Sequence, residues 1–188
     1  NKPNLNYKWV ALSNTTIGSL MASLDRNIII IALPTIALDL NVSLITLVWI
    51  TIGYWVVTAS ALLTFGRLAD MFGRVKLYNV GFALFTVGST LCCISQTGEQ
   101  LIIFRIILGI GAAFIFSNSA AIISDSFPET ERGKALGINQ ISIVIGSVIG
   151  LVVGGVLTSY LGWRSIFWIN IPIGIFATVW ALSMAIYS

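Results

Sequence analysis

Long uncharged runs separated by short polar stretches dominate the pattern of hydrophobic and polar positions along this chain. One run begins at Trp9, is interrupted by Asp25 and Arg26, and resumes to Leu38; five more cover 44–65, 77–98, 106–124, 135–163 and 165–188. A helix of about 20 apolar residues is long enough to cross a bilayer. The pattern therefore predicts six transmembrane helices, at approximately 9–38, 44–66, 76–97, 100–125, 133–161 and 165–188.

The composition leaves no room for a soluble domain. Apolar residues make up 57% of the chain, charged residues only 9%, and the mean hydropathy is +0.96. We therefore predict an all-α, multi-pass protein of the cell membrane, whose residues 1–188 form a single six-helix domain with the lipid bilayer as its surroundings.

The placement of basic residues predicts the orientation. Seven of them lie at one side of the predicted helices, and only Arg164 lies at the other. Lysine and arginine are enriched in cytoplasmic connections, so both termini are predicted to be cytoplasmic. The seven are Lys2, Lys8, Arg67, Arg74, Lys76, Arg132 and Lys134. No continuous basic face is left to bind nucleic acid.

Enzymatic and metal chemistry have little support in the sequence. The chain contains no histidine, which removes the usual imidazole base and metal ligand. Cys92 and Cys93 are neighbours within the third run, where two small helix residues are the simplest interpretation. We therefore predict no catalytic residue, no metal site and no cofactor.

A motif between the second and third runs identifies a family resemblance. Residues 66–76 read G-R-L-A-D-M-F-G-R-V-K, and we expect a tight loop there. The pattern G-x-L-A-D-x-x-G-R-x-K resembles the loop between helices two and three of the major facilitator superfamily of secondary transporters. The resemblance implies that Gly66, Arg67, Asp70, Gly73 and Arg74 form a cytoplasmic gate loop. Its aspartate would contact the start of a helix in the other half of the transporter, near Gly133 to Gly137 of a second copy.

Three charges, Asp25, Arg26 and Arg105, lie in the interior of predicted spans. The segment around Asp25 resembles the first-helix motif L-D-x-T-x-x-N-x-A-L-P of the 14-span drug:proton antiporter branch, with Asn27 and Ile30 as departures and Arg26 as an additional charge. Arg105 precedes G-x-G-A-A, as in the family's fourth helix, where the arginine is linked to proton transfer. Helix rise places Asp25 about 14 Å and Arg105 about 9 Å from the outer side, so they can pair, with Arg26 competing for the same partner. Proton coupling through Asp25 is the favoured hypothesis, and a static ion pair is the alternative.

Glycines predict close helix packing. Gly146, Gly150 and Gly154 recur every four residues and so share one helix face, and Gly109 and Gly111 follow Arg105. The family's fifth-helix antiporter motif is similar to the first set but has a proline after the second glycine. Leu151 occupies that position here, which puts antiport in question.

The segment 163–174, W-R-S-I-F-W-I-N-I-P-I-G, resembles the start of the sixth helix in the 14-span branch. The spacing of Gly155 and Gly162 also repeats that of Gly66 and Gly73. A 3+3 inverted repeat, as in each six-helix half of the family, would produce this similarity. The resemblance covers the amino-terminal half of a typical member.

Polar and aromatic residues within spans are candidates for a substrate cavity: Asn27, Trp49, Tyr54, Asn118 and Gln140. Most such residues pack helices or anchor interfaces. An aromatic cavity with few charges favours lipophilic compounds, with a sugar or another metabolite as the alternative.

Together these patterns predict a secondary active transporter of a small organic solute that works by alternating access. Two parallel copies would form a homodimer equivalent to the whole fold, because the family's two halves are related by an axis along the membrane normal. Drug export and proton coupling are the favoured forms. The alternatives are a truncated piece of a larger transporter, completed by a missing carboxy-terminal half, and a membrane scaffold or receptor that transports nothing.

Overall fold

The computed structural model describes residues 5–187, and the side chains of residues 7–182 among them. This part of the chain is helical, with short connections. Six of its segments are long and apolar enough to cross a membrane, the last formed by a short helix and the helix after it. The helices are α1 (Leu5–Leu40), α2 (Leu44–Phe72), α3 (Arg74–Ile94), α4 (Gly98–Ser126), α5 (Glu129–Leu161), α6 (Ser165–Trp168) and α7 (Asn170–Tyr187).

The second helix ends later than its hydropathy predicts. It continues to Phe72, and only Gly73, with a φ of 100°, separates it from α3. The prediction of a loop over 66–76 is therefore wrong: Gly66, Arg67 and Asp70 are helical, and Arg74 begins α3. Apolarity ends where the membrane ends, whereas a helix with polar residues can continue beyond that boundary.

Consecutive long helices run in opposite directions, so the bundle has two faces. At the terminal face, which contains the start of α1, Lys8 pairs with Glu131 of α5 and Arg74 of α3 pairs with Asp125 of α4. At the opposite, distal face, Asp39 near the end of α1 pairs with Arg164, just before α6.

Helices α1 and α4 form the centre of the bundle. In their most apolar segments 61% of α4 and 50% of α1 is buried, against 22% of α2 and 28% of α5. The described part of the chain therefore leaves much of α2 and α5 uncovered.

Glycines make the contact between α1 and α5 close. A Cβ atom on Gly150 would lie 2.6 Å from the Leu24 carbonyl oxygen, and one on Gly154 would lie 3.0 Å from that of Ile28. Gly146 faces Leu20 in the same way. These glycines bring the two backbones together, as small residues do between membrane helices.

Candidate functional site

A buried ion pair lies at the centre of the bundle. The Arg105 guanidinium of α4 donates to Asp25 Oδ2 of α1 at 2.7 Å, and both side chains are 0% exposed. The Asn170 amide at the start of α7 donates to the other carboxylate oxygen, Asp25 Oδ1, at 2.6 Å. Asn170 also contacts Ser89 Oγ of α3 at 3.4 Å. One carboxylate therefore links α1, α4 and α7.

The arginine of this pair is only partly satisfied. Within residues 7–182, neither Nε nor the second terminal nitrogen of Arg105 has a hydrogen-bond partner. The guanidinium instead lies over the Tyr54 ring of α2, 4.3 Å from its centroid. A buried ion pair offsets its desolvation cost only when its remaining donors are also bonded. Two donor nitrogens of Arg105 are thus left without an acceptor among the described residues.

The amide partner lies at the junction between α6 and α7. Ile169, which has right-handed helical dihedrals (φ −65°, ψ −28°), separates the two helices, and Asn170 is the first residue of α7. Asn170 belongs to the W-R-x-I-F-x-I-N-x-P-I-G segment, but the sequence analysis did not select it because only charged partners were sought for Asp25. The position of Asn170 within that motif was the one feature of the sequence that could have marked it as a functional candidate.

Arg26 does not compete for Asp25. Its guanidinium lies over the Trp55 ring of α2, 5.3 Å from the centroid, and it forms no ion pair with any described residue. The expected competition does not occur, because adjacent residues point about 100° apart on a helix. The side of α1 that carries Arg26 faces Trp55, which contacts its guanidinium.

Next to the ion pair is a cavity of about 330 Å³, which we call the Arg26 cavity. Helices α1, α2, α4 and α5 form it, and its lining includes Arg26, Tyr54, Trp55, Leu62, Phe116 and Ile143. Tyr54 thus contributes both to the cavity and to the contact with Arg105. The sequence analysis did not select Phe116 or Ile143, since single apolar residues within a span carry no distinguishing signal.

The other predicted cavity residues are not part of this lining. The Asn27 amide donates to the Ser23 carbonyl at 2.9 Å, and the Asn118 amide donates to the Phe114 carbonyl at 2.7 Å, both within their own helices. Trp49 is 54% exposed, and Gln140 is exposed as well. The predicted packing glycines in α4 do meet neighbours: Gly109 faces Tyr54, and Gly111 faces Phe85.

At the terminal face, one arginine joins two acids. Arg74 contacts Asp70 of α2 at 2.8 Å and Asp125 of α4 at 2.7 Å. It also donates to the Ala121 carbonyl at 3.3 Å. We call Asp70, Gly73, Arg74 and Asp125 the terminal joint. Arg67 is exposed and forms no ion pair with a described residue.

A similar set, the distal joint, consists of Asp39, Gly162, Trp163 and Arg164. Arg164 and the Trp163 indole both donate to Asp39 Oδ2 at 2.8 Å. Arg164 also donates to the Ser95 carbonyl of α3 at 2.9 Å. The sequence analysis assigned no partner to Arg164.

Comparisons with known proteins agree with this architecture. The family model described as Major Facilitator Superfamily matches residues 15–187. The chain is 41% identical over 173 residues to the riboflavin transporter RibZ of Clostridioides difficile, covering 92% of this chain and 38% of that protein. It is 38% identical to multidrug resistance protein 3 of Bacillus subtilis, covering 89% and 32%. It is 33% identical to the tetracenomycin C resistance and export protein of Streptomyces glaucescens, covering 91% and 32%.

A solved structure has the same fold. The bacterial homologue of the human lysosomal transporter Spinster, in an inward-facing and unoccupied conformation, superimposes with a TM-score of 0.77 at 20% identity. The match covers 98% of this chain and 44% of that one. The six membrane-length helices therefore correspond to the amino-terminal half of a larger transporter fold, and the chain spans less than two fifths of the three relatives above.

Proposed function

The chain belongs to the major facilitator superfamily, a family of membrane transporters and not of enzymes, and from that premise we propose that it forms one half of a secondary transporter that couples solute movement to protons through Asp25. The solute is a small organic compound, exported by alternating access. Relatives named for riboflavin transport, multidrug resistance and tetracenomycin C export support this solute class.

The observation that carries this proposal is the completely buried pair of Asp25 and Arg105. Ionisable side chains are expensive in the middle of a membrane, where they usually mark ion pathways or proton relays. Because its two oxygens accept from separate partners on different helices, a proton on Asp25 would disturb contacts to α4 and α7 together. Neutralising the carboxylate weakens the contact with Arg105, whose free donors can then turn to a new acceptor. The charge state of Asp25 would in this way bias how α1, α4 and α7 pack.

The test uses the purified chain in liposomes loaded with the pH dye pyranine. A panel of anionic, neutral and cationic aromatic solutes is added, and we expect proton movement with at least one of them. Asp25→Asn should abolish this proton movement and gradient-driven uptake while leaving solute exchange intact. Asp39→Asn, the same change at the distal end of the same helix, is the matched control and should retain coupling.

A purely structural ion pair predicts a different result. In that case Asp25→Asn would lower the yield of folded protein, but the folded fraction would keep gradient-driven uptake. That outcome would overturn the proposed role of Asp25.

The orientation is part of the proposal. Of the described basic residues, six lie at the terminal face: Lys8, Arg67, Arg74, Lys76, Arg132 and Lys134. The positive-inside rule supports a cytoplasmic terminal face. In this orientation α1–α3 and α4–α7 form the two units of a 3+3 inverted repeat, with one positive-φ glycine joint at each face.

We propose that a second copy in the same orientation completes the transporter. The sparse cover of α2 and α5 supports a partner on these helices. The start of α5 offers room for one, since Cβ atoms on Gly133 and Gly137 would meet nothing within 4 Å. Asp70 of one copy would contact this region of the other, where a helix N-terminus favours an acid.

Crosslinking tests this contact directly. Because Cys92 and Cys93 are buried, cysteines introduced as Asp70→Cys and Gly137→Cys can be joined selectively. A mixture of the two single variants should yield a covalent dimer, whereas Lys134→Cys mixed with Leu161→Cys, from opposite faces, should not. Mass measurement in nanodiscs must show two copies, and one copy without crosslinks would contradict the homodimer.

The second candidate arrangement is completion by a separate carboxy-terminal half. The greater length of the relatives favours it, since this chain covers 38% of RibZ and 32% of multidrug resistance protein 3. The buried pair would keep its role there, but Asp70 would contact a different sequence.

A further inference from the structure

Arg26 is a cation inside the membrane region that has no acid partner among the described residues. It lies fourteen residues before the end of α1 at Leu40, which corresponds to about 21 Å along the helix. The nearest acid in sequence, Asp25, is occupied by Arg105 and Asn170. The Nε of Arg26 is buried and has no hydrogen-bond partner within residues 7–182. Its charge is therefore left uncompensated by the described part of the chain.

The surroundings of Arg26 are aromatic and apolar. Its guanidinium lies over Trp55, which remains 44% exposed, and both residues line the Arg26 cavity. Phe116, Leu62 and Ile143 form other parts of the lining. A pocket of about 300–1,000 Å³ is large enough to bind a small organic molecule, and this one has about 330 Å³. It combines one positive charge with aromatic walls.

We propose that the Arg26 cavity binds amphipathic organic anions, with the acidic group on Arg26 and an aromatic body against Trp55 and Phe116. A guanidinium binds carboxylate and related groups through paired, charge-assisted hydrogen bonds. An aromatic body packs against exposed indole, and an organic cation is repelled by the same charge. This inference rests on the proposed function, because it names the substrate class of the transporter.

The cavity is also connected to the buried ion pair. Tyr54 lines the cavity and lies against Arg105, the partner of Asp25. An anion seated on Arg26 would thus be separated from the proton-carrying pair by a single ring. Its negative charge would stabilise Arg105 and favour loss of the contact to a protonated Asp25.

The test measures equilibrium binding to the chain in lipid nanodiscs by calorimetry, with empty nanodiscs as the blank. Three ligands share one ring system and differ in charge: 2-naphthoate, 2-naphthamide and 2-naphthylmethylammonium. We expect naphthoate to bind about tenfold or more tightly than naphthamide, as one charge-assisted contact provides, and the ammonium compound to bind least. Equal binding of all three, or preference for the cation, would overturn the proposal.

Variants test whether Arg26 causes the preference for anions. Arg26→Gln should reduce naphthoate binding to the level of naphthamide, whereas Arg26→Lys should keep an anion preference. Arg132→Gln, the same change at the terminal face, should leave the preference intact. Trp55→Leu should weaken the anionic and neutral ligands alike, and it keeps the proposal testable if Arg26→Gln fails to fold. An unchanged anion preference in folded Arg26→Gln would contradict the assignment.

This experiment separates the two proposals, since binding requires neither a gradient nor turnover. Anion preference that depends on Arg26, in a protein that moves no protons, would support the cavity and contradict coupled transport. Proton-coupled transport that does not distinguish anionic from neutral or cationic solutes would support coupled transport and contradict the anion preference of the Arg26 cavity.

Discussion

The terminal and distal joints share a backbone turn and an arginine–aspartate pair, but the residues around the arginine differ. Each contains a glycine at positive φ, 100° at Gly73 and 83° at Gly162. In each, an arginine that follows the glycine reaches an aspartate near the end of another helix: Arg74 reaches Asp125 of α4, and Arg164 reaches Asp39 of α1. The backbone turn and the ion pair are thus shared by the two faces.

The difference lies in what surrounds the arginine. At the distal joint the Trp163 indole is only 2% exposed and donates to the same carboxylate as Arg164. Arg164 also lies over the Trp163 ring, 4.3 Å from its centroid. One acid there serves two donors, and the joint is anchored in the core.

At the terminal joint the ratio of donors to acids is the opposite, because a single arginine pairs with two acids, Asp70 and Asp125. Asp70 is 59% exposed and Asp125 is 63% exposed. They line a wide cavity of about 610 Å³. The distal joint is therefore anchored by a buried tryptophan, although its Asp39 is 47% exposed. The terminal joint has no such anchor and presents two exposed acids to a group outside the described chain. The comparison predicts that loss of the tryptophan or the acid at the distal joint lowers stability more than loss of an acid at the terminal joint, and that Asp70 of the terminal joint contributes to assembly.

The largest expected effect is that of Trp163→Ala. Removing a buried tryptophan costs about 3–5 kcal/mol, and here it also removes a donor to Asp39. The free energy of unfolding, followed by circular dichroism as SDS is added to detergent micelles, should fall by this amount. Trp168→Ala is the matched control on α6: this side chain is 62% exposed, and its removal should change stability by less than about 1 kcal/mol. Equal effects of the two variants would contradict a core-anchored distal joint.

The two joint glycines should behave alike. Gly73→Ala and Gly162→Ala each force a side chain into a backbone conformation that costs about 1–3 kcal/mol. Gly66→Ala provides the contrast, because Gly66 lies within α2 and a Cβ there would meet nothing within 4 Å. Alanine should stabilise that helix by up to about 1 kcal/mol. The same unfolding measurement checks all three, and a loss at Gly66 would mean that the residue is needed for a turn.

Gly66 also shows what the sequence could and could not predict. Hydropathy summed over some twenty residues identifies a span reliably, so the six-helix fold follows from the chain. The same sum marks where the membrane ends and not where the helix ends. Residues 67–72 continue α2 although they are partly charged.

The candidate site was also only partly predictable from the sequence. Asp25 and Arg105 were foreseeable as partners because so few charges lie within the spans. Asn170 was missed since a neutral amide stands out little from its neighbours, although it holds Asp25 Oδ1 at 2.6 Å. The direction of Arg26 depends on Trp55 of another helix, and such a long-range contact is invisible in local patterns.

The acids at the ends of α1 and α4 should differ in their contribution to stability. Asp39→Asn weakens charge-assisted bonds from both Trp163 and Arg164 and should cost about 1 kcal/mol. Asp125→Asn leaves Arg74 its second acid, Asp70, and removes only an exposed pair. Its cost should be about 0.5 kcal/mol or less. Unfolding in SDS compares the two, and a larger loss at Asp125 would reverse the assigned difference between the joints.

The smallest effect on stability, and the most informative one, is expected for Asp70→Asn. The exposed pair with Arg74 contributes about 0.5 kcal/mol or less, so the unfolding curve should coincide with that of the unaltered chain. Assembly should nevertheless suffer, because the asparagine lacks the charge that favours the N-terminus of a partner's α5. Mass measurements in detergent micelles at increasing dilution should show dissociation of the Asp70→Asn dimer at a higher protein concentration than that of Asp125→Asn, its matched control. If both variants dissociate together, the spare charge of the terminal joint has no role between copies, and the contrast with the distal joint concerns stability alone.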